Sequence, residues 1–441
     1  MIARPAGAGV LGGHAFALVG YNEVGFVVQN VWGPGWGEGG CAILPYEDWR
    51  EHAYDAWAVR PGAAPNLGGW SVPGPDGTRL ARHVVNLGND GRLSRTGRFV
   101  SSEAQVRGVV AEMTRFHAGQ PEARTLLYAH GGLVEEGEGL RIAGRQRQWW
   151  LNNGVYPVTL AWQSGPGETL LSALADLVRP RLAAETLRPD LTEATDALVE
   201  GLARLTVRPL WNEMKENARG AGAPVRDPAD PPGGTLLLRQ VRAAGRGPAY
   251  RRKPLRLHLA GHSAGSVLLA GLLPRMRDLG LRAASLHLLA PALRLDEFGR
   301  DVLPELGPGG RVGSLAVFNL TDAQERDDTS GVGNLVPYHK SILYLVARAL
   351  ETPGEETPLL GLTKYAALPL LPGGRSLEEV LAATGGVLVT PGSSDEPGEQ
   401  TTARRHVSFD EDEATMTSVL LRILGVREIT PVRRYRPTGL T

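Results

Sequence analysis

Downstream of residue 78, short apolar runs typical of buried strands alternate with longer segments that have helical periodicity. Consecutive parallel strands need a crossover, usually a helix, so this alternation predicts an α/β fold with a doubly wound, mostly parallel sheet. The predicted strands cover residues 125–129, 156–161, 255–260, 284–289, 314–319 and 386–390, and the predicted helices cover residues 103–117, 139–153, 266–278, 338–351 and 413–424.

A linker rich in proline and glycine, residues 61–80, divides the chain into a segment over residues 1–60 and a larger domain over residues 81–430. The first segment is predicted to be small and β-rich, with strands at residues 15–21, 25–29 and 41–44.

Within the larger domain, residues 164–253 form a span too long for a simple crossover, and we expect an insertion there with one helix over residues 191–217. Such an insertion can form a lid over a site, although an apolar helical stripe also serves ordinary packing. The glycine- and proline-rich stretch 220–234 is expected to be a solvated loop.

The composition excludes several classes of partner. Lys+Arg and Asp+Glu both number 47, so there is no basic surplus for nucleic acid or for an anionic membrane surface. No run of 18 apolar residues occurs, so no membrane span is expected, and the single cysteine, Cys41, suggests a reducing compartment such as the cytoplasm. No motif for a metal or for another cofactor is present, so none is expected, and the oligomeric state is not indicated.

The pentapeptide Gly261-His262-Ser263-Ala264-Gly265 follows a predicted strand directly and opens a predicted helix. A serine on a sharp strand-to-helix turn is exposed as a nucleophile, and the following N–H, that of Ala264, can face a developing oxyanion. A chance match in a glycine-rich chain is the competing interpretation, but the flanking strand and helix favour a nucleophile elbow.

The run His130-Gly131-Gly132-Leu133 also ends a predicted strand. Together with the elbow it resembles the α/β-hydrolases, such as lipases and esterases, in which a loop of this kind supplies oxyanion donors. The resemblance implies donors from the loop Gly131, Gly132 and Leu133 together with Ala264. It also implies the order nucleophile, acid, base along the chain.

Asp322 follows the strand predicted at 314–319 and is expected to be the acid, with Asp327 and Asp328 as rivals on the same loop. His406 is expected to be the base, because a helix and a further strand should separate acid from base and His339 comes too early. We expect His262 to pack or cap, and His130 to order its loop.

The first segment carries a second resemblance. Gly13-His14-Ala15 opens a strand, and Gln29-Asn30-Val31-Trp32-Gly33 follows; the pattern resembles the C-terminal half of papain-like cysteine peptidases, although Val31 replaces the family's usual serine. The resemblance implies that His14 is a base, that Asn30 holds its imidazole, and that Trp32 shields their hydrogen bond.

In that family the cysteine nucleophile lies roughly 130–150 residues upstream of the histidine. Only 13 residues precede His14, and Cys41 lies downstream, so we expect an incomplete peptidase segment with no activity in this chain. Three functions stay open: a serine hydrolase acting on a small ester or amide, a cysteine-type peptidase whose nucleophile lies elsewhere, and a non-enzymatic interaction module.

Overall fold

The computed structural model describes residues 14–53, 80–96, 99–132, 136–162, 192–329, 338–352 and 354–436. The chain forms two compact units, Met1–Pro65 and Asn66–Thr441. The boundary between them falls within the predicted linker, whose residues lie outside the described part of the chain apart from Leu80. No helix among the described residues is long and apolar enough to cross a membrane.

The first unit is a three-stranded antiparallel sheet in the order β1-β2-β3, followed by one short helix. The strands are β1 (Ala17–Tyr21), β2 (Gly25–Gln29) and β3 (Cys41–Pro45), and the helix is α1 (Tyr46–His52). The prediction of a small β-rich segment agrees with these elements.

The second unit is built on a seven-stranded sheet in which every neighbouring pair of strands is parallel. The strand order is β10-β9-β8-β7-β5-β6-β4. The strands are β4 (Val84–Leu87), β5 (Ala123–Ala129), β6 (Val155–Trp162), β7 (Leu255–His262), β8 (Ala283–Leu289), β9 (Leu315–Phe318) and β10 (Val387–Val389).

Helices flank this sheet and bury its two faces in separate apolar clusters. The described helices are α2 (Glu103–Ala118), α3 (Glu136–Asn152), α4 (Thr192–Thr206), α5 (Arg208–Gly220), α6 (Gly233–Gly245), α7 (Gly265–Asp278), α8 (Leu295–Glu297), α9 (Asp322–Asp327), α10 (Ile342–Leu345), α11 (Leu377–Thr384) and α12 (Glu413–Leu424). The fold is therefore mixed α/β with a parallel sheet, as the strand–helix alternation predicted.

Some elements depart from the sequence-based expectations. The helix expected over residues 191–217 is two helices, α4 and α5, because Pro209 occupies the first turn of α5 and cannot continue a helix from before it. The helix expected over residues 338–351 begins only at Ile342, capped by the Ser341 side chain, and ends in a π-helical turn, Val346–Leu350. Strand β4 and helix α6 were not predicted.

The expectation of a solvated loop over residues 220–234 is wrong at both ends. Ala221 and Gly222 are buried, and a side chain on Gly222 would overlap the main chain of Gly271 in α7. Gly233 and Gly234 are also buried and begin helix α6. Glycine serves here for close approach of one backbone to another rather than for flexibility.

The described part of the insertion, residues 192–253, packs into the main apolar core. The buried side chains that it contributes are Val199, Ala203, Val207, Trp211, Met214, Ala218, Ala221, Leu236, Leu237, Leu238, Val241 and Tyr250. These helices are an integral layer of the domain. Residues 164–191, the other part of the predicted insertion, lie outside the described residues.

The strand order reverses between β5 and β7. After β5 the chain goes to β6 on one side, and after β7 it goes to β8 on the other side. Crossovers that leave in opposite directions open a crevice beyond the carboxyl ends of the two strands, where ligands of open α/β sheets bind. His130 follows β5 and Ser263 follows β7, so both sequence motifs lie at this point.

Candidate functional site

Ser263 occupies a strained turn between β7 and α7. Its φ is +51°, a left-handed conformation that a residue with a side chain rarely adopts. The turn needs glycine on both sides: a side chain on Gly261 would come within 2.8 Å of Leu269, and one on Gly265 would overlap the carbonyl oxygens of Ala129 and His130. The elbow predicted from the pentapeptide is therefore present as a backbone geometry.

His406 lies against this serine. Its Nε2 is 3.0 Å from Ser263 Oγ, although 143 positions separate the two residues along the chain. The imidazole is 2% exposed, and burial lowers its pKa well below its usual range, with His262 acting in the same direction. A neutral imidazole is the protonation state that can accept the proton of a serine hydroxyl.

The main chain of His406 is held on both sides by side chains. Its N–H donates to Asp328 Oδ2 at 2.6 Å, and its carbonyl oxygen accepts from His262 Nε2 at 2.9 Å. In the described part of the chain its Nδ1 is buried without a hydrogen-bond partner. Because Nε2 faces the serine hydroxyl, Nδ1 is the nitrogen that an acid would have to engage.

The structure does not bring Asp322, the expected acid, to the base. Thr321 caps helix α9, so Asp322 is the first helical residue, and its two carboxylate oxygens accept from Tyr344 Oη at 2.5 Å and Arg326 Nε at 2.8 Å. Burial acts to raise the pKa of this carboxyl, but the two hydrogen bonds outweigh it and the pKa is lowered.

Asp328, one of the rivals, directly follows the end of the same helix and is buried. Among the described residues, it is the carboxylate whose hydrogen bond reaches His406. Asp327, the other rival, is exposed.

A buried carboxyl that the sequence did not single out lies near Asp328. Glu325 is fully buried, and within the described part of the chain neither of its carboxyl oxygens has a hydrogen-bond partner. Burial raises its pKa to about 8, and the charges of Asp328 and Asp322 act in the same direction. No signal in the sequence distinguishes this glutamate from a solvated one, because its burial depends on the packing of α9 against the segment that begins α10.

The loop after β5 supplies the neighbouring wall. Gly131 lies beside the serine, since a side chain there would come within 3.4 Å of Ser263 Cβ, and Gly132 faces Ala264 at the start of α7. Among the described residues, none accepts a hydrogen bond from the main-chain N–H of Gly132 or of Ala264. Leu133, the third predicted donor, lies outside the described residues.

His130 orders this loop, as expected. Its Nδ1 donates to the carbonyl oxygen of Gly131 at 2.7 Å, and its Nε2 accepts from the main-chain N–H of Trp162 at 3.3 Å. Trp162 Nε1 in turn donates to the carbonyl oxygen of His130. Burial lowers the pKa of His130 to about 4, so the ring is neutral and its two nitrogens can fill these two different roles.

Met214 is a residue of the site that the sequence did not indicate. It lies on α5, is buried, and its Sδ would come within 2.7 Å of a side chain placed on Gly132. The next residue, Lys215, pairs in the protein interior with Glu351 and Glu297, which fixes the helix against two other segments. The insertion thus provides a fixed wall behind the loop that contains Gly131 and Gly132. Met214 reaches this loop only through the packing of helix α5 in the folded domain.

His339, the rejected candidate for the base, lies elsewhere. Its Nδ1 is 3.0 Å from Asp196 Oδ1 on α4, and the same carboxylate accepts from Lys340. It has a structural partner and, in the described residues, no contact with Ser263.

In the first unit the structure brings His14 and Asn30 together, with His14 Nε2 2.8 Å from Asn30 Oδ1. The Trp32 ring stacks on the imidazole with ring centroids 5.1 Å apart. The Trp36 ring packs against Trp32, nearly perpendicular to it. Cys41 is half-buried in β3, where its main chain pairs with that of Gln29. The structure therefore brings His14, Asn30 and Trp32 together at the surface, where His14 and Trp32 are both exposed.

No group of three or more His, Cys, Asp or Glu side chains in the described residues could hold a metal ion. Comparison of the chain with protein-family models, with curated proteins and with solved structures finds no match.

Proposed function

We propose that the larger unit is a serine hydrolase of the α/β-hydrolase type that cleaves an ester, thioester or amide. The observation that carries this proposal is the 3.0 Å approach of a buried, neutral imidazole to the hydroxyl of a strained serine. Strain at one residue of a buried turn is costly and persists where function requires it. The location at the reversal of strand order adds support.

In this mechanism His406 Nε2 removes the proton of Ser263 Oγ as the oxygen attacks the substrate carbonyl carbon. The main-chain N–H groups of Ala264 and of the Gly131–Gly132 loop stabilise the oxyanion that forms. The protonated imidazole then gives its proton to the leaving group, and a water molecule, activated in the same way, releases the acyl group. Asp328 is the acid that we assign, because it already accepts from the main chain of the base.

The insertion is expected to shape the substrate site in two ways. Helix α5 contributes the fixed wall at Met214. The insertion predicted over residues 164–253 would, as a lid over the crevice, favour an apolar acyl group. The substrate is accordingly a small molecule, and we propose neither a metal nor another cofactor.

A fluorophosphonate probe tests this proposal, because it reacts with an activated serine. We expect stoichiometric labelling at Ser263, and we expect His406→Gln to slow labelling by roughly a hundredfold or more, since it removes the general base. The matched control is His339→Gln, which should label at the wild-type rate. An unlabelled wild-type protein with an intact fold, or equal rates in both variants, would contradict the assignment.

The first unit favours a second candidate function. The hydrogen bond of His14 to Asn30, with the Trp32 ring stacked on the imidazole, supports a base and its orienting amide as in a cysteine-type peptidase. The described residues place no thiol beside this imidazole. We therefore propose that the pair serves proteolysis only with a nucleophile other than Cys41. An interaction module without catalysis is the third possibility.

A thiol-directed epoxide inhibitor tests the role of Cys41. We expect the 441-residue protein to show neither labelling at Cys41 nor peptidase activity that the inhibitor blocks, because a cysteine held within a strand usually behaves as a small apolar residue. Intact-mass spectrometry before and after treatment gives the result, with iodoacetamide on unfolded protein as the control for thiol availability. A stoichiometric epoxide adduct on the folded protein would assign the nucleophile to Cys41 instead.

A further inference from the structure

His262, the residue that precedes the proposed nucleophile, makes a contact that the hydrolase mechanism does not use. It is the last residue of β7, is buried, and is aligned with Leu289 of the neighbouring strand β8. Its Nε2 donates to the carbonyl oxygen of His406 at 2.9 Å. A side chain of the elbow therefore holds the main chain of the base.

The base itself lies on no long regular element. His406 begins a single 3-10 turn, His406–Ser408, in the connection between β10 and α12. The hydrogen bonds within residues 404–408 are local, from Ser408 back to Arg405. In the described part of the chain, the side chains that join this segment to other elements are Asp328, His262 and Ser263 itself.

Two of these contacts act on the main chain of the same residue from opposite directions. Asp328 accepts from the N–H of His406, and His262 donates to its carbonyl oxygen, so both main-chain polar groups of the base are satisfied in a buried place. Removing the His262 side chain would leave the buried carbonyl oxygen of His406 unpaired, which costs roughly 1–3 kcal/mol and permits the turn to shift.

The other edge of the His262 ring faces the oxyanion loop. A side chain on Gly131 would come within 3.5 Å of His262 Nδ1. The ring centroids of His262 and His406 lie 5.3 Å apart. His262 is thus next to the nucleophile in the chain, bonded to the base, and in contact distance of the loop. A displacement of about 1 Å at a reacting group can cost about a hundredfold in rate, so this location matters for geometry.

We propose that His262 is a positioning residue that ties the turn carrying His406 to the nucleophile elbow, an inference that rests on the hydrolase function proposed above. It takes no proton from the substrate. From the end of strand β7, it donates one hydrogen bond to the main-chain carbonyl oxygen of His406, which lies on an irregular connection.

Two variants test the proposal. His262→Leu fills the space without a donor, whereas the side-chain amide of His262→Gln can reach the position of Nε2 and donate in its place. With a p-nitrophenyl ester, we expect the leucine variant to lose roughly ten- to a hundredfold in kcat with little change in KM. The glutamine variant should regain most of that loss.

Hydrogen exchange gives a second measurement that does not depend on activity. Amides of residues 406–409 should exchange faster in the leucine variant than in the wild type, and at near the wild-type rate in the glutamine variant. Unchanged exchange and unchanged kcat in a folded leucine variant would overturn the positioning role. Slow turnover in both variants with unchanged exchange would also overturn it. If the wild-type protein shows no turnover that depends on Ser263, the proposed hydrolase function is wrong. Faster exchange in the leucine variant would then still establish that His262 holds the turn that carries His406.

Discussion

Replacing Ser263 with alanine is expected to abolish hydrolysis of short p-nitrophenyl esters, with a loss of about a millionfold in kcat if the full mechanism operates. The reason is that Ser263 Oγ is the only group within hydrogen-bond distance of His406 Nε2 in the described residues, so its removal leaves the base without a nucleophile to activate. In energy, a millionfold corresponds to about 8 kcal/mol of lost transition-state stabilisation.

The fold should survive this change. The elbow is held by main-chain hydrogen bonds, from Ser263 N–H to the carbonyl of Leu289 and from Ala292 N–H to the carbonyl of Ser263, and alanine keeps both. Circular dichroism and the thermal midpoint check the fold, and initial rates check activity. Ser266→Ala is a useful companion, because that neighbouring hydroxyl is buried in α7 and, among the described contacts, donates to the carbonyl of Ser263 alone. Turnover that persists in a folded Ser263→Ala variant would mean that the hydrolase proposal is wrong.

Much of this site could be predicted from the sequence because its signals are local. The elbow needs two glycines around a serine between a strand and a helix, and each of those features can be identified within about fifteen residues. The place of His406 beside Ser263 could be predicted from the order of elements that the α/β-hydrolase resemblance implies. His14 shortly precedes β1 and Asn30 directly follows β2, its antiparallel neighbour, so their approach also follows from the pattern.

The remaining residues of the site depend on packing between distant segments. Met214 reaches the oxyanion loop only because α5 packs against α7, and no pattern within the insertion indicates that contact. The position of the acid could be predicted only in part. Thr321 and Gln324 form a capping box, a pattern that is present in the sequence and predicts a helix start at Asp322. The helix directs Asp322 to Tyr344 and Arg326, and it brings Asp328, the residue that follows its end, to the main-chain N–H of His406.

The two aspartates therefore offer a matched comparison on one short helix. We expect Asp328→Asn to lower kcat by about a hundredfold or more, and by as much as about ten-thousandfold. In this variant the amide oxygen of the new side chain can still accept from the His406 N–H, so the position of the base is kept while the negative charge beside it is lost. An uncharged amide stabilises the imidazolium of the transition state poorly.

Asp322→Asn is the control, and we expect its kcat to stay within a few-fold of the wild type. Its carboxylate bonds to Tyr344 and Arg326, and a change there alters the local packing of α9 but not, in the described contacts, the base. Both variants should be measured with the same ester, together with their fluorophosphonate labelling rates, since labelling also requires an activated serine. If the loss falls on Asp322→Asn and Asp328→Asn is close to the wild type, the acid is the residue at the start of the helix. The contact between Asp328 and His406 would then be structural. If neither variant loses activity, His406 works without a carboxylate, and its unpartnered Nδ1 is the functional state of the base.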